Sequence, residues 1–572
     1  MDDVKKLKDP VYGYISVDSD FIVEIIDTPG FQRLRDIIQT SYAPLYSSAV
    51  HNRFVHSIGV YHLGCIASEA IRQNKEEYVK EIPDIEAYLK VFEIACLLHD
   101  IGHAPFSHTG ENLYLDETAD APEKQRDLLH DEIARLTKDE TLAEEITQSG
   151  SSFNNAAPHE LMSVIVALRS YGSLKWLNSS EKKSFLARCI TGYKYVKKLK
   201  ENASLYSFLN CLISLLNSTV IDVDKLDYLI RDAFIIGFDT VRIDYKRLLK
   251  NLKIRLDVGN GSDDKSEYYL VYKRGAISVL ENVVYARDAE KKWIQNHPVV
   301  LYDSYLMREV MHQLKEKYKG LFSYEALSEK GVLLDASGNK KEIRSRLLCD
   351  ADVIFLMKNL TDSEQAEEYI NRKNRRHPVW KSEAEYRAHL GKKALGEQAF
   401  KCFTDEMDKL FKYYGNDLDG IVHIDKTCIE KCDKDISKWE SKIIEQKQGE
   451  KSIIDTARMK ESLKQIQIYK KWTDIFFEFA DDQGIDRDFV IIPTNQFTSG
   501  FSKSDIGRLR IEFPGLKEPC DFAEVSNVLT SYSDPDESRF FYLFYYRKNP
   551  DDKIDVCALT SRLKQMAEEC CA

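Results

Sequence analysis

Long apolar runs are absent from this sequence. The N-terminal segment MDDVKKLKDP has no apolar core of the kind that a signal peptide needs, and the run Leu161–Leu168 is interrupted by Ser163 and is too short to cross a bilayer. Hydrophobic residues make up 43% of the 572 residues and charged residues 30%, a composition typical of folded, soluble proteins. We therefore expect a cytoplasmic protein without membrane contact, built of two to four domains at roughly 150 residues each.

Regular cysteine spacing is also absent. The twelve cysteines are scattered through a large chain, which is typical of a reduced compartment and not of a disulfide framework. Cys428 and Cys432 are four residues apart and Cys570 and Cys571 are adjacent, but neither pair has a second Cys or His pair at zinc spacing. We expect no structural zinc site there.

Positive charge is in deficit, with 81 Lys and Arg against 93 Asp and Glu and a net charge of −12. A nucleic-acid surface would have to be a local patch on an acidic body, so nucleic-acid binding is not expected. A substrate that carries negative charge would likewise need a local basic pocket.

Histidine, by contrast, is concentrated at one end of the chain. Of 13 histidines, eight lie in the first 159 residues: His51, His56, His62, His99, His103, His108, His130 and His159. Imidazole binds metals and exchanges protons near neutral pH. The N-terminal third is therefore where we expect metal or acid/base chemistry.

The spacing of apolar residues predicts a mainly α protein. Thr28 is a plausible N-cap before Pro29, and a strand is predicted at Glu267–Tyr272. Helical periods cover residues 54–71, 85–98, 158–168, 204–216, 223–234 and 277–317, with a short strand near 12–17 and loops at 116–126 and 148–157.

The sequence changes character after residue 330. Residues 331–480 are charged and helical, resembling a solvated hairpin from Lys434 onward, and residues 481–572 predict a smaller α+β region with strands at 489–493, 509–513 and 539–546. We therefore divide the chain at residues 330 and 480 into three domains. The aromatic run Phe540–Tyr546 favours a buried central strand, with an oligomer interface or a base-stacking platform as alternatives.

Four separated residues could close one divalent metal site. His56 starts a helical period, His99 and Asp100 end another, and Asp224 starts a third. Two imidazoles and two carboxylates suit Mn²⁺, Fe²⁺, Mg²⁺ or Zn²⁺ and leave positions open for water and a phosphate oxygen. A lone histidine is more often a cap or a buried ring, but the segment His99–His108 holds five ionisable or metal-capable groups in ten residues, which core packing does not require.

Four motifs resemble the HD-domain phosphohydrolases, and within them the deoxynucleoside triphosphate (dNTP) triphosphohydrolases, including the SAM-and-HD-domain dNTPase and its bacterial relatives. The motifs are Asp27–Arg35 (DTPGFQRLR), His51–Ser57 (HNRFVHS), His99–His108 (HDIGHAPFSH) and Ile221–Asp232 (IDVDKLDYLIRD). They occur in the family's order and spacing, and the match covers residues 1 to about 310. The resemblance implies an HD-domain helical core over residues 1–330.

The resemblance assigns residues around the reacting phosphate. It implies that His56, His99, Asp100 and Asp224 hold the metal. It also implies that His103, His108 and His159 surround the α-phosphate, with His108 or His159 protonating the leaving oxygen while water attacks phosphorus. Many relatives have an aspartate where this chain has Glu111, and the longer arm changes the geometry of that acid/base pair. Glu160 follows His159, and the resemblance implies that it holds the imidazole and raises its pKa.

The resemblance also implies substrate and regulatory contacts. Arg53, Lys225 and Arg287 match phosphate contacts, and Gln39, Tyr228 and Asp232 match contacts that favour deoxyribose over ribose. Gln295 stands where the family often has a base- or sugar-contacting tyrosine, so the base preference does not carry over. Lys5, Asp27, Gln32 and Arg35 match an activating-nucleotide site at a subunit interface of eukaryotic relatives, although Asp27 and Arg35 could instead form an internal ion pair.

These assignments predict a metal-dependent dNTP triphosphohydrolase that releases a deoxynucleoside and triphosphate. The resemblance further implies regulation by a nucleotide, a homo-oligomer and, if the source is bacterial, antiviral defence against phage by dNTP depletion. One alternative is an HD phosphohydrolase acting on an alarmone, a nucleoside monophosphate or a cyclic nucleotide. The other is a catalytically silent nucleotide-binding scaffold. His51, His62 and His130 have no assigned role.

Overall fold

The structure, a computed structural model of the 572-residue chain, is dominated by helices, which confirms the mainly α prediction. It describes residues 4–74, 82, 84–115, 122–147, 156–238, 242–257, 267–334, 343–415, 420–447, 453–494, 503–528, 540–547 and 553–571.

The chain divides into two compact units that alternate along the sequence. The first contains Met1–Gln295, Asp303–Ala366 and Ser499–Tyr532, and the second contains Asn296–Tyr302, Glu367–Thr498 and Ser533–Ala572. The domain boundaries at residues 330 and 480 stay predictions.

The N-terminal part of the chain is a stack of α-helices with few strands. These helices are Ser19–Phe21, Pro29–Gln32, Arg53–Gln73, Ile85–Leu98, Pro122–Thr137, Glu140–Thr147, Pro158–Tyr171, Ser180–Thr191, Ala203–Leu216, Val223–Ile236, Tyr245–Lys250, Ile277–Glu290, Pro298–Lys317, Tyr324–Leu327 and Asp350–Met357. Thr28 caps the Pro29 helix by accepting from the Phe31 amide, as predicted. The helix at Pro122 begins inside the loop predicted for 116–126, because proline is favoured in the first helical turn; residues 116–121 and 148–155 lie outside the described part.

The helical period predicted for 277–317 is interrupted. The α-helix ends at Glu290, a π-helical turn spans Lys291–Gln295, and a new helix starts at Pro298. Proline cannot donate the backbone hydrogen bond that a continuous helix needs, so the chain breaks at this point. The interruption places Glu290 and Gln295 side by side.

Three small sheets belong to the described residues of the first unit. An N-terminal hairpin pairs Val4–Asp9 with Gly13–Asp18. A four-stranded sheet has the order Cys520–Asp521, Arg510–Glu512, Glu267–Lys273, Leu252–Asp257, in which only the Arg510 and Glu267 strands are parallel. The hairpin Val332–Leu334 and Ile343–Ser345 also lies in this part. The strands predicted at 12–17, 267–272 and 509–513 are confirmed.

The second unit combines helices with an antiparallel sheet of order His377–Pro378, Phe541–Tyr545, Phe489–Pro493, Val422–Ile424. Phe541–Tyr545 has a neighbour on each side and is buried throughout, which confirms a central strand. The remaining helices along the C-terminal part of the chain are Glu364–Ile370, Glu383–Leu390, Lys392–Leu395, Glu397–Tyr414, Lys426–Lys447, Ile453–Gln483, Lys503–Gly507, Phe522–Val525 and Val556–Cys571.

The predicted solvated hairpin is only partly solvated. The helices Lys426–Lys447 and Ile453–Gln483 pack on each other, and Trp472, Phe476 and Phe479 of the longer helix are fully buried. A charged average composition conceals this apolar stripe because the charges occupy the other faces.

Among the described residues, ten cysteines are free thiols and Cys402 is disulfide-bonded. The reduced compartment expected from the scattered cysteines stays a prediction. Across the described residues, no helix is long and apolar enough to cross a bilayer.

Candidate active site

The metal-ligand candidates come from three packed helix ends. His56 lies in the first turn of the helix Arg53–Gln73, whose Asn52 cap accepts from the Val55 amide at 3.2 Å. The helix Val223–Ile236 packs against it, and Gly59 permits the close approach, because a Cβ there would lie 1.9 Å from Asp227 Oδ1. His56 is completely buried at this crossing.

The His99–Asp100 pair sits where the apolar helix Ile85–Leu98 ends. The turn that follows is pressed against the helix Pro158–Tyr171: the Gly102 amide donates to Ser163 Oγ at 3.0 Å, and a Cβ at Gly102 would lie 2.3 Å from the Ser163 nitrogen. Glycine is therefore required at 102, and both His99 and Asp100 are held buried.

Four ligand atoms converge between these elements. Asp224 Oδ1 lies 3.0 Å from His56 Nε2 and 3.7 Å from His99 Nε2, and the two Nε2 atoms are 3.3 Å apart. Asp100 completes the group, with oxygens 3.5 Å from each of these nitrogens. Two buried imidazole nitrogens that face each other and two carboxylates form a donor set that fits a divalent cation.

The charges around this group reinforce that fit. Burial opposes the charged form of Asp224, but His56 and His99 outweigh it and hold the pKa of that carboxyl well below its usual range. Burial would lower the pKa of His56, yet Asp224, Asp227 and Asp100 raise it to about 9. The surplus of carboxylates therefore favours a positive charge at this point, whether a proton or a metal.

Asp227 is a candidate positioning residue that the sequence motifs did not single out. Its Oδ2 lies 2.8 Å from His56 Nδ1, and Arg231 holds the carboxylate in a two-point contact at 2.9 and 3.1 Å. Arg231 is held in turn by Asp9 at 2.9 Å. A carboxylate on the second nitrogen fixes the tautomer and the ring orientation of a metal-ligating histidine. The spacing of Asp224, Asp227 and Arg231 on one helix is the signal that could have revealed it.

A group of three histidines adjoins the metal-ligand candidates. His103 and His159 stack with centroids 4.1 Å apart, and His108 meets both rings edge-on at 5.1 Å. His103 Nε2 lies 3.5 Å from Asp100 Oδ1, which joins the two groups. Burial lowers the pKa of His103 well below its ordinary value, and neighbouring Arg53 and His159 add to this, so the ring is neutral at pH 7.

Glu111 organises the other two histidines. Its Oε1 lies 3.3 Å from His108 Nδ1, and its Oε2 is hydrogen-bonded to His159 Nδ1. Burial would lower the pKa of His159, but Glu111 outweighs burial and raises it to about 9. His159 is therefore a cation at neutral pH, and the longer arm of glutamate lets one carboxylate reach both rings.

The expectation that Glu160 holds His159 is wrong, although the charge of Glu160 adds to the rise in the pKa of His159, as expected. Its carboxylate accepts from the Ala157 amide and from Asn217 Nδ2, each at 2.7 Å. Glu160 is the third residue of its helix, and a glutamate there reaches back to the cap. Glu111 occupies the position at His159 instead.

Two of the predicted phosphate contacts are engaged with carboxylates in this structure. Arg53 Nη1 donates to Asp100 Oδ2 at 2.6 Å, and Arg53 Nε donates to Ser107 Oγ at 2.8 Å. Lys225 Nζ donates to Asp222 Oδ2 at 2.6 Å and to the Ser218 carbonyl at 2.8 Å. Their roles in phosphate binding stay predictions.

Two of the three predicted deoxyribose contacts, Tyr228 and Asp232, lie one and two turns beyond Asp224 on the same helix face. The Arg287 guanidinium lies 5.1 Å from the centroid of the Tyr228 ring. Asp232 Oδ1 is 2.8 Å from His51 Nε2, which gives His51 a structural partner. Gln39 is only 6% exposed, and Gln295 donates to Glu290 at 3.0 Å.

The predicted regulatory residues lie near Phe54 and the N-terminal hairpin. Gln32 Nε2 donates to the Ile26 carbonyl and Arg35 Nε donates to Gln32 Oε1, both at 2.7 Å, and Arg35 lies over the Phe54 ring at 3.5 Å. Lys5 and Asp27 are exposed. The sequence left open an internal ion pair between Arg35 and Asp27. In the structure Arg35 donates to Gln32.

Comparison with known proteins agrees with this geometry. Residues 53–172, which include His56, His99, Asp100 and the three-histidine group, match the family model for the HD domain. This segment is therefore similar to HD domains. Asp224 follows the matched segment along the chain and returns to it through helix packing.

Curated relatives share the region around the HD domain. The uncharacterized protein YwfO of Bacillus subtilis is 26% identical over 316 residues, which cover 54% of this chain and 56% of that protein. The deoxynucleoside triphosphate triphosphohydrolase SAMHD1 of Xenopus laevis is 32% identical over 262 residues, 44% of this chain and 37% of that protein. The chain thus spans about half or less of the length of these relatives. A solved structure of a hypothetical protein from Aquifex aeolicus has a TM-score of 0.49 at 17% identity, covering 95% of this chain and 96% of that chain.

Proposed function

We propose that this protein is a metal-dependent dNTP triphosphohydrolase. In the overall reaction, water adds to the α-phosphorus, the bond from that phosphorus to the 5′-oxygen breaks, and the products are a deoxynucleoside and triphosphate. The observation that carries the proposal is the junction at Asp100, where the His2Asp2 donor set meets the three-histidine group, in which burial lowers the pKa of His103 and Glu111 raises that of His159.

The proposed metal holders are His56, His99, Asp100 and Asp224. A divalent cation bound there supplies positive charge that stabilises phosphate oxygens and activates water. The identity of the metal among Mn, Fe, Mg and Zn is left open by a mixed nitrogen and oxygen donor set.

The environments of the histidines give them different roles in proton transfer. His159, held as a cation by Glu111, donates a proton to the departing 5′-oxygen, with His108 on the same carboxylate as the alternative donor. His103, held neutral by burial, donates a hydrogen bond to the α-phosphate without adding a proton. Arg53, Lys225 and Arg287 bind the remaining phosphates, and Gln39, Tyr228 and Asp232 bind the deoxyribose.

The names of the SAMHD1 relatives support the choice of substrate, since those proteins are dNTP triphosphohydrolases by name. We also propose an activating nucleotide at Lys5, Asp27, Gln32 and Arg35, assembly into a homo-oligomer, and a role in antiviral defence. The exposed positions of Lys5, Asp27 and Arg35 are compatible with a nucleotide shared between subunits.

Product analysis tests the proposal. Purified protein is incubated with each dNTP and each NTP, with Mn²⁺ or Mg²⁺ and with added GTP or dGTP as activator, and the products are separated by chromatography. Deoxynucleoside and intact triphosphate in equal amounts are expected. Pyrophosphate, a nucleoside monophosphate, or no turnover under any of these conditions would contradict it.

A matched pair of variants tests the metal site. Asp224→Ala removes one of four proposed ligands and is expected to lower turnover by at least about a thousandfold, since the metal contributes several kcal/mol to the transition state. Glu69→Ala removes an exposed carboxylate from the His56 helix and should leave turnover unchanged. Full activity of Asp224→Ala in a folded protein would refute the proposed site.

A further inference from the structure

Glu290 is a buried acidic residue to which neither the sequence motifs nor the proposed reaction gives a role. It is the last residue of the helix Ile277–Glu290 and is 4% exposed. Its Oε1 accepts from Tyr42 Oη at 3.3 Å and from Gln295 Nε2 at 3.0 Å. A carboxyl group is costly to bury, so a position where the fold retains one invites a functional explanation.

The surroundings of Glu290 decide its protonation state. Burial and the neighbouring Asp232 raise the pKa of Glu290 to about 8, against the opposing effect of Arg287. At neutral pH the group is therefore mainly a carboxylic acid. In that form it offers one hydrogen-bond donor and at least one acceptor, whereas a carboxylate would offer acceptors alone.

Gln295 adds a second group of the same kind. Its bond to Glu290 uses one of its two amide hydrogens and does not use its carbonyl oxygen. The π-helical turn Lys291–Gln295 sets the two residues side by side. The pair thus places donors and acceptors together, with Glu290 buried and Gln295 half-buried.

The position of this pair follows from the Asp224 helix. Asp224, Tyr228 and Asp232 repeat every four residues and share one face, and eight residues of α-helix span about 12 Å. If the α-phosphate lies at Asp224, the nucleoside extends toward Asp232, and Glu290 lies beside Asp232 in the same buried cluster.

A second observation at this end also calls for a ligand. Gln39 Oε1 is buried and has no hydrogen-bond partner among the described residues. The backbone N–H of Gln39 donates to the His51 carbonyl at 2.9 Å, and the His51 side chain contacts Asp232. The unpaired Gln39 Oε1 therefore belongs to the same end of the site. Buried polar groups are rarely left unpaired unless a ligand or water completes them.

We propose that Glu290 and Gln295 form a specificity-determining pair that hydrogen-bonds the edge of the nucleobase. The proposal rests on the proposed function, because it takes the substrate to be a dNTP. Nucleobases differ chiefly in the order of donors and acceptors along their edges, and a carboxylic acid beside an amide can read that order. Asp232, Tyr228 and Gln39 contact the sugar, so discrimination between deoxyribose and ribose is separate from this pair.

The test is a selectivity profile on the full chain. The ratios of kcat/KM among the four dNTPs, and the dNTP to NTP ratio for each base, are measured for Glu290→Leu, Gln295→Leu and Glu290→Gln. Equilibrium binding of each dNTP in the presence of Ca²⁺ is measured in parallel. Glu281→Gln, on the same helix but bonded to Ser526 at 2.6 Å, is the matched control.

Both leucine variants are expected to change the ratios among the four dNTPs by about tenfold, the effect of one lost hydrogen bond to the base, and to leave the dNTP to NTP ratios unchanged. Glu290→Gln keeps a donor and an acceptor and should restore the wild-type order, as should Glu281→Gln. If Glu290→Leu fails to fold, the half-buried Gln295→Leu carries the test.

Unchanged ratios in the folded leucine variants would overturn the proposal, and so would a change confined to the dNTP to NTP ratios. The binding measurement separates the two levels of inference. Base-dependent binding that is altered in the leucine variants, without any hydrolysis by the wild type, would refute the triphosphohydrolase and uphold the base-reading pair.

Discussion

The proposed metal end and the proposed nucleoside end of the site are built in opposite ways. At the metal end, His56, His99 and Asp100 are buried and mutually in contact, and each is fixed by a helix terminus or a required glycine. At the nucleoside end, Gln39 and Tyr228 retain side-chain atoms without partners among the described residues, and Gln295 is half-buried. The side chains of the first end are in contact with one another, and the proposed function predicts that a substrate pairs the open groups of the second end.

This contrast predicts that changes at the metal end affect catalysis and metal affinity, whereas changes at the nucleoside end affect substrate affinity and selectivity. The largest expected effect concerns the three-histidine group next to the metal-ligand candidates, where Glu111 raises the pKa of His159.

Glu111→Gln is expected to have the largest effect. Removing the carboxylate lowers the pKa of His159 from about 9 toward its usual value near 6.5, so the cation is lost at neutral pH and turnover falls by about 10²- to 10⁴-fold. Because the raised pKa keeps the proton on His159 at pH values below about 9, wild-type turnover should decline as the pH rises through 9. In Glu111→Gln this decline should occur at a lower pH. A pH–rate profile with the same alkaline limb in both proteins would contradict this role.

Asp227→Asn should have an intermediate effect, at the metal end alone. Loss of the carboxylate on His56 Nδ1 frees the ring and is expected to weaken metal affinity by about 10- to 100-fold. The measurement is Mn²⁺ binding by calorimetry on the full chain, which does not depend on activity. Glu281→Gln, whose carboxylate accepts from Ser526 Oγ, is the control, and equal Mn²⁺ affinity of all three proteins would show that Asp227 does not support the metal site.

Gln39→Leu should have the smallest effect, and it should change substrate affinity and leave metal affinity unchanged. Its Oε1 has no partner in the described free protein, so its removal should leave the melting temperature unchanged or slightly raised. One lost hydrogen bond to the substrate should raise KM by up to about tenfold while kcat stays the same. A lower melting temperature together with an unchanged KM would show that Gln39 has a structural role instead.

Features that depend on local sequence could be predicted, whereas features that depend on packing between distant helices could not. The mainly α fold and the helix bearing His56 follow from apolar periods and from the Asn52 cap, which act locally along the chain. The candidate metal ligands could be chosen because metal-capable groups are concentrated at His99–His108 and because the surrounding motifs resemble a known family. Their convergence, however, depends on packing between helices that are distant from one another in the sequence.

Side-chain partnerships were the least predictable feature. Glu111 and Glu160 are both acidic and both plausible neighbours of His159, and only the three-dimensional arrangement shows that Glu160 caps its own helix while Glu111 reaches the ring. Glu290 could not be singled out, because a glutamate at the end of a charged helix is ordinarily a surface residue. Its burial results from the break in the helix before Pro298 and from the distant Tyr42.

The measurement that tests the central claim most directly is hydrolysis of a dNTP in H₂¹⁸O with mass spectrometry of both products. Attack of water on the α-phosphorus predicts an unlabelled deoxynucleoside and a triphosphate that carries one ¹⁸O, with no labelled product from Asp224→Ala. Pyrophosphate with a labelled or unlabelled monophosphate, or label in the deoxynucleoside, would contradict the account.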